Sequence, residues 1–236
     1  MISPAPGIGS ILLKPGSATF PLPGIDAAVV SEKGAEVVAE ERGLLVIRKP
    51  WPGMLLGIYG NPERYKKSYW STFPGMFYTG DYAIRDREGY FWILGRADEV
   101  LKIAGHRIGT AELEDAAISY PQVVDVAVVS KPHPVKGESI VVFVVLVEGA
   151  TPSTSMKKEL TNHMRRVVGP IAKPDEICFV SQLPKTRSGK VMRRVLKAIA
   201  TDSPVGDLST LEDKASVDDV VKSYQASQKK GGREEK

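Results

Sequence analysis

The pattern of apolar residues changes at Asp98, and the two sides of that point demand different architectures. Before it the chain is dense in Pro and Gly, and apolar residues come in short runs at 11–13, 27–30 and 43–47. Pro21-Leu22-Pro23-Gly24 and Glu32-Lys33-Gly34 separate those runs. Short strands cut by turn residues predict a small β-barrel-like subdomain over residues 1–97. The polar stretch 61–69 predicts one helical turn, and Trp70, Phe73, Phe77 and Tyr78 an aromatic core. Residues 83–96 read as a hairpin that turns at Asp86-Arg87-Glu88-Gly89 and returns through Tyr90-Phe91-Trp92-Ile93. Arg96-Ala97-Asp98-Glu99 then sets charge between two apolar strands, as a solvated joint between domains does.

Beyond Asp98, strand and helix patterns alternate. Val-rich runs at 123–129 and 140–147 are too continuous for a strand exposed on one face, so they predict adjacent buried strands, with 177–180 as a third. Thr110 is expected to cap a helix carrying Leu113, Ala116, Ala117 and Tyr120, which Pro121 ends. A second helix is expected over 155–168, with Met156, Leu160, Met164, Val167 and Val168 on one face, and a third over 190–200. The expected class is α+β: the barrel-like subdomain, then a domain over 98–204 with a three-stranded sheet core and helices. From Thr201 the apolar periodicity fades, and Gln228 opens a charged end without core residues, so 205–236 is expected to be a largely disordered tail.

Composition excludes several classes of partner. The 32 basic residues stand against 28 acidic ones, and a net charge of +4 is too modest for a nucleic-acid surface. Residues 140–147 form the longest apolar run, too short for a bilayer, and residues 2–7 lack the basic and apolar regions of a leader. The lone Cys178 sits in an apolar run and reads as a buried small hydrophobe, without a disulfide framework. A soluble, cytoplasmic protein with no membrane or nucleic-acid partner is expected. His106, His133 and His163 show no spacing that suggests a metal or catalytic cluster.

Two stretches carry chemistry. Thr79-Gly80-Asp81 offers a glycine bend where backbone can approach a ligand, with one carboxylate able to accept two hydroxyl hydrogen bonds, as a ribose diol requires. The alternative is a turn-forming aspartate. Lys190 follows Ser188-Gly189, and an ammonium on a long stem can bridge a carboxylate and a phosphate. The alternative is a solvated basic patch of Lys185, Arg187, Lys190, Arg193, Arg194 and Lys197. A P-loop is excluded, because Pro184 and Val191 stand where GxxxxGK[ST] needs Gly and Ser or Thr.

Several motifs together resemble the acyl-adenylate-forming enzymes, and among them the acetyl-coenzyme A synthetase family. They are Tyr78, Gly80-Asp81, Gly95-Arg96-Ala97-Asp98, Lys102-Ile103-Ala104-Gly105-His106-Arg107 and Glu112-Leu113-Glu114, flanked by Lys49-Pro50-Trp51-Pro52-Gly53-Met54, Tyr69-Trp70, Pro184-Lys185-Thr186-Arg187-Ser188-Gly189-Lys190 and Leu208-Ser209-Thr210-Leu211. The resemblance covers nearly the whole chain but only the carboxy-terminal portion of such an enzyme; the family's phosphate loop and large amino-terminal domain have no counterpart. It implies an acetate–coenzyme A ligase that uses ATP with magnesium, acetate and coenzyme A as substrates and passes through acetyl-adenylate.

By resemblance, Asp81 holds the ribose hydroxyls, and Arg96 and Arg107 contact the nucleotide; ion pairs with Glu99 or Asp98 are the alternative for both arginines. Ala104, Gly105 and Arg165 match coenzyme A contacts, although serine is usual at position 104 and Arg165 also reads as a polar-face charge. Asp98 matches the hinge of a mobile lid. Lys190 matches the adenylation lysine and a possible acetylation site, which makes an acetyltransferase and a deacetylase possible partners. Where the family binds magnesium, this chain has Ile118, Tyr120 and Val123, and a neutral tyrosine is a poor ligand for a hard dication, so no protein-bound metal is expected there. The chain alone is expected to be inactive, with an amino-terminal domain needed in cis or as a separate chain. The rival readings are a non-catalytic remnant or docking subunit, and a ligase for propionate or another short acid.

Overall fold

Four segments of the first half have the β-branched and aromatic content that a pleated, buried surface selects: β1 (Ala27–Val30), β2 (Arg42–Ile47), β3 (Phe77–Arg85) and β4 (Phe91–Arg96). In the computed structural model, which describes residues 1–4 and 11–234, the chain divides between Asp98 and Glu99 into two compact units. The first unit is built on an antiparallel sheet in the order β1-β2-β3-β4. This sheet is open, so the barrel-like expectation is corrected. Its two faces are both apolar: Val29, Leu45, Ile47, Phe77 and Phe91 lie on one, and Ala28, Val30, Leu44, Val46 and Phe73 on the other. Residues 11–13 do not form a strand, and Leu12 and Leu13 are exposed.

The stretch after β2 forms a longer helix than one turn, α1 (Pro62–Tyr69), because Asn61 caps it through Oδ1 and Pro62 occupies its first position. Tyr69 stacks on Phe77 at 4.9 Å. The β3–β4 hairpin forms as expected. Asp86 Oδ1 accepts the amides of Glu88 (3.0 Å) and Tyr90 (2.9 Å), and Oδ2 accepts Lys14 Nζ at 2.7 Å. The Lys14 hydrogen bond, helped by the Tyr90 amide, holds the Asp86 carboxyl down at about 2.

The second unit contains β5 (Val100–Ile103), β6 (His106–Gly109), α2 (Thr110–Ile118), β7 (Val123–His133), β8 (Gly137–Leu146), α3 (Thr154–Val167), β9 (Glu176–Phe179), α4 (Arg193–Ala200) and α5 (Ala215–Glu234). Its sheet runs β6-β5-β8-β7, with β9 parallel to β8. Five strands make up this sheet rather than three: the apolar strand expected after Glu99 joins it as β5, and β6, with Ile108 its one buried residue, is too polar to stand out. Alternate residues of β7 and β8 feed two cores. Val128, Ile140, Val142 and Val144 meet Leu113, Leu160 and Met164, whereas Val129, Val141 and Phe143 meet Cys178, Leu196, Val220 and Tyr224. Two-faced burial is the reason those strands read as continuous apolar runs. It also pushes the Cys178 thiol up to about 11.

Three helix ends differ from expectation. Gly109 precedes α2 as its cap without a side-chain bond, and Thr110 is a buried first helical residue. Ser153 Oγ accepts the Met156 amide, so α3 begins earlier, and Val167 is exposed. Helix α4 starts at Arg193, which leaves Lys190 outside it.

The largest correction concerns the expected tail at 205–236. Much of it is α5, which buries Val217, Val220 and Tyr224. An apolar stripe of three residues, spaced three and four apart, is enough because the sheet supplies the other half of the contact. The Tyr224 hydroxyl donates to Glu176 at 2.7 Å; burial, then that carboxylate, raises its pKa. Residues 235 and 236 of that expected tail lie outside the described residues. Among the described residues, no helix is long and apolar enough to cross a membrane.

Val220→Asp would place an unpaired charge where the side chain is fully enclosed; it should lower the urea midpoint and speed amide exchange along α5, while Gln225→Asp on the exposed side should do neither. For Asp86 the folded value lies below the ordinary one, so its ionised form favours the folded state above about pH 4, and that contribution is lost as pH falls toward 2. Lys14→Met should flatten this segment of the acid-unfolding curve, followed by tryptophan fluorescence.

Candidate functional site

In the first unit, Thr79-Gly80-Asp81 is not a turn but a bulge inside β3. Leu44 pairs with Tyr82 and Val46 with Tyr78, so Leu45 alone opposes the three residues between. Thr79 Oγ1 donates to Leu45 O at 3.1 Å and accepts the Asp81 amide at 3.2 Å. A second register shift lies next to it, between Tyr82 and Ala83 against β4. Bulges re-aim side chains, and here they bring Asp81 opposite Arg96.

Gly80 has φ +81°, and a Cβ there would fall 2.7 Å from Arg96 Nη2. The close approach that this glycine permits is therefore that of the Arg96 guanidinium. Arg96 Nη1 donates to Thr79 O at 3.0 Å and meets Asp81 Oδ1 at 3.4 Å, and Nε donates to Asp98 Oδ1 at 3.1 Å. The Asp98 ion pair and a seat beside Asp81 thus coexist. Tyr78, packed against Phe73, has its pKa raised by burial. Asp98 itself lies exposed in a short 3-10 turn, Ala97–Glu99.

The other residues expected to meet substrates belong to the second unit. Ala104 and Gly105 form the tip of the β5–β6 hairpin, with φ +49° and +85°, the signature of a type I′ turn. A left-handed alanine costs roughly 1–2 kcal/mol. The Ala104 amide donates to Lys136 O at 2.9 Å, which holds the tip in place. Arg107 follows on exposed β6, paired in register with Lys102. Arg165 lines a groove of about 440 Å³ with Lys157, Lys158 and Lys173. Ala104 and Gly105 do not line that groove, but Lys136 connects the two places: its Nζ pairs with Asp175, a groove residue, at 2.5 Å.

Lys190 closes a tight turn. The Thr186 amide donates to Lys190 O (2.8 Å), Gly189 to Thr186 O (2.8 Å), and Lys190 to Thr186 Oγ1 (3.2 Å), while Lys185 and Val191 bridge antiparallel. The expected flexible Ser-Gly pair is thus hydrogen-bonded on both sides.

Most of the supposed basic patch is engaged. Lys185 pairs with Asp125 at 2.6 Å, Lys197 donates to Ser130 Oγ at 3.1 Å, and Arg194 binds the carbonyls of Val205 and Asp207. Arg193 forks onto Glu114 (3.0 and 2.6 Å) and reaches Glu99 at 3.6 Å; Glu114, mainly, raises its pKa. Lys190 is exposed and makes no ion pair among the described residues. Sequence reasoning missed Glu114, although its recurrence in Glu112-Leu113-Glu114 was visible: Oε1 also accepts the Val128 amide at 2.8 Å, so this buried carboxylate joins α2, β7 and α4.

The donor set at Ile118, Tyr120 and Val123 does not fit magnesium. The Tyr120 hydroxyl donates to Glu159 at 2.8 Å, and that hydrogen bond raises its pKa, so the phenol stays neutral; its carbonyl already accepts the Val123 amide at 2.9 Å. Each histidine makes separate local contacts: His133 Nδ1 accepts two amides, His163 meets Ser119, and His106 meets Ala104 O.

Residues 112–190 match the AMP-binding enzyme C-terminal domain family. The chain is 57% identical over 225 residues to the acetyl-coenzyme A synthetase of Pyrobaculum arsenaticum, covering 95% of this chain and 34% of that protein. It is 49% identical to the Chlorobaculum tepidum enzyme of the same name, covering 93% and 33%. The chain therefore spans about a third of the length of these curated relatives. Among solved structures, ATP-bound MatB from Rhodopseudomonas palustris superposes with a TM-score of 0.69 at 29% identity, over 80% of this chain and 36% of that one. Acetoacetyl-CoA synthetase from Streptomyces lividans shares the fold with a TM-score of 0.76, over 91% and 32%, at 24% identity.

The Gly80–Arg96 contact is open to a direct check. Gly80→Ala should destabilise the first unit by about 1–3 kcal/mol, through its positive φ and the displaced guanidinium. In a urea-denaturation double-mutant cycle, Gly80→Ala with Arg96→Ala should lose less than the sum of the single changes, since removing the guanidinium makes room for the methyl group.

Proposed function

Because this chain belongs to the acetyl-coenzyme A synthetase family and corresponds to its carboxy-terminal portion, we propose that it supplies the nucleotide-ribose contacts and the mobile lid of an AMP-forming acetate–coenzyme A ligase. The observation that carries the reading is Lys190: an ammonium left uncompensated on a hydrogen-bonded turn, in a stretch whose other cations mostly have partners. In the first half-reaction an acetate oxygen attacks the α-phosphorus of ATP, a P–O bond forms, and the bond to pyrophosphate breaks. Lys190 neutralises charge where carboxylate and phosphate meet. In the second, the sulfur of coenzyme A attacks the acyl carbon, the acyl–oxygen bond breaks, AMP leaves, and the thiol proton passes to solvent.

Asp81 accepts the ribose hydroxyls, and Arg96 and Arg107 engage the nucleotide. Ala104 and Gly105 let the pantetheine arm pass close to backbone, while Arg165 and its neighbouring lysines face the nucleotide phosphates of coenzyme A. Asp98 is the hinge, and residues 1–97 are the last β-rich subdomain of the adenylating domain. Magnesium enters with ATP as part of the substrate. The exposed Lys190 is also open to an acetyltransferase and a deacetylase, and acetylation would remove its charge. A reducing cytoplasm suits the buried Cys178 thiol.

The 236-residue chain alone should show no acetate-dependent ATP–pyrophosphate exchange. Joined behind the amino-terminal portion of the Pyrobaculum arsenaticum relative, it should gain that activity. In this completed enzyme Lys190→Ala should lower exchange by about 10²–10³ while sparing the conversion of supplied acetyl-adenylate and coenzyme A. Asp98→Pro should impair one half-reaction far more than the other. Robust exchange by the chain alone, or normal exchange in Lys190→Ala, would contradict the reading.

A further inference from the structure

The turn that carries Lys190 is not held by its own residues alone. Residues 205–212, between α4 and α5, run beside it. The Arg187 amide donates to Thr210 O at 3.2 Å, the Glu212 amide donates to Lys185 O at 2.9 Å, and Thr186 and Leu211 form an antiparallel bridge. This segment thus adds a third short extended piece to the Lys185–Val191 bridge, on the far side from Val191. It is anchored at both ends. From α4, Arg194 reaches the carbonyls of Val205 and Asp207, lying so close over Gly206 that a Cβ there would sit 2.7 Å from Nη1. At the other end Leu211 is buried with Met192, Val195 and Val217. Gln182 Nε2 donates to Asp213 Oδ2 at 3.0 Å, and Ser181 Oγ donates to Asp219 on α5 at 2.8 Å.

We infer that residues 205–212 are a strap that positions the Lys190 turn for adenylation, with Arg194 and Leu211 as its positioning residues. A Ser-Gly turn bearing a long lysine has many conformations, and a preorganised charge is effective only when its backbone is confined near the reacting atoms. The strap bonds the backbone that leads into the turn, at Lys185 and Arg187, packs Leu211 with Met192 beyond it, and leaves the Lys190 ammonium exposed, so it restricts the loop without occupying the group that must meet substrate. Helix α5 then has a task beyond covering the sheet: it holds the far end of the strap. This inference rests on Lys190 being the adenylation lysine.

The test has two readouts. In this chain, hydrogen exchange of the amides over residues 185–191 should become about tenfold faster in Arg194→Ala and in Leu211→Ala, while α3 amides stay unchanged. Arg194 is exposed, so its variant keeps the test valid should Leu211→Ala fold poorly. In the completed enzyme the same variants should lower acetate-dependent pyrophosphate exchange about tenfold or more, with conversion of supplied acetyl-adenylate within about twofold of the parent. Unchanged amide exchange over 185–191 overturns the strap, and so does an equal loss of both half-reactions. Lys190→Ala is measured in parallel. If that variant keeps full pyrophosphate exchange, the adenylation role of Lys190 fails, and with it the catalytic part of this inference, while amide exchange still decides whether the strap holds the turn.

Discussion

A sheet that is apolar on both faces cannot stand in water, and each unit of this protein is organised by the need to cover such a sheet. In the second unit β8 is bonded to β5, β7 and β9, and its side chains alternate between two cores. Helices α2 and α3 cover one face, α4 and α5 the other. Remove either layer and fully buried residues such as Phe143 or Val142 meet solvent, at about 25 cal/mol for each Å² of apolar surface. The first unit solves the same problem with loops and aromatic rings, among them Phe73 on one face and Trp51, Tyr69 and Trp70 on the other.

The residues proposed to meet substrates lie where that demand is weakest. Asp81 sits at the bulge inside β3, opposite Arg96 at the end of β4, Ala104 and Gly105 at a hairpin tip, and Lys190 on a turn before α4. Such positions are free of packing constraints, so polar interactions must fix them. The guanidinium of Arg96 lies over Gly80, and the Lys190 turn is bonded to residues 210–212. Behind the turn, Glu114 and Arg193 form a largely buried ion pair. Pairs of this kind add little net stability, but losing one partner strands a charge, so they specify geometry well.

Much of this was legible in the chain. Continuous Val-rich runs required strands buried on both faces, the Asp86-to-Gly89 turn required a hairpin, and helical spacing of Met156, Leu160 and Met164 located α3. Residue types at Asp81 and Lys190 allow diol and anion chemistry, with a turn-forming aspartate and a solvated basic patch as the alternatives, and Arg96 reads as a nucleotide contact only through the resemblance. The strap was half legible: Leu208-Ser209-Thr210-Leu211 stood out as a motif, yet its neighbourhood read as a tail.

What the chain could not decide was every feature set by partners distant in sequence. Helix α5 has three buried apolar residues among its described side chains, in a charged stretch, and local composition counts them as solvent-exposed until β9 and α4 supply the opposing surface. The apolar run of β5 is legible, but that it joins the β8 sheet, and that polar β6 is a strand at all, depends on the pairings β8-β5 and β5-β6. Whether Gly80 bends around a ligand or around Arg96 depends on a register shift between strands, and whether a lysine is solvated or paired depends on which carboxylates the fold brings near. Sequence determines local propensity and the inventory of chemical groups, because those depend on neighbours along the chain. Tertiary structure decides register, caps and charge compensation, because each is a contact between residues far apart along it.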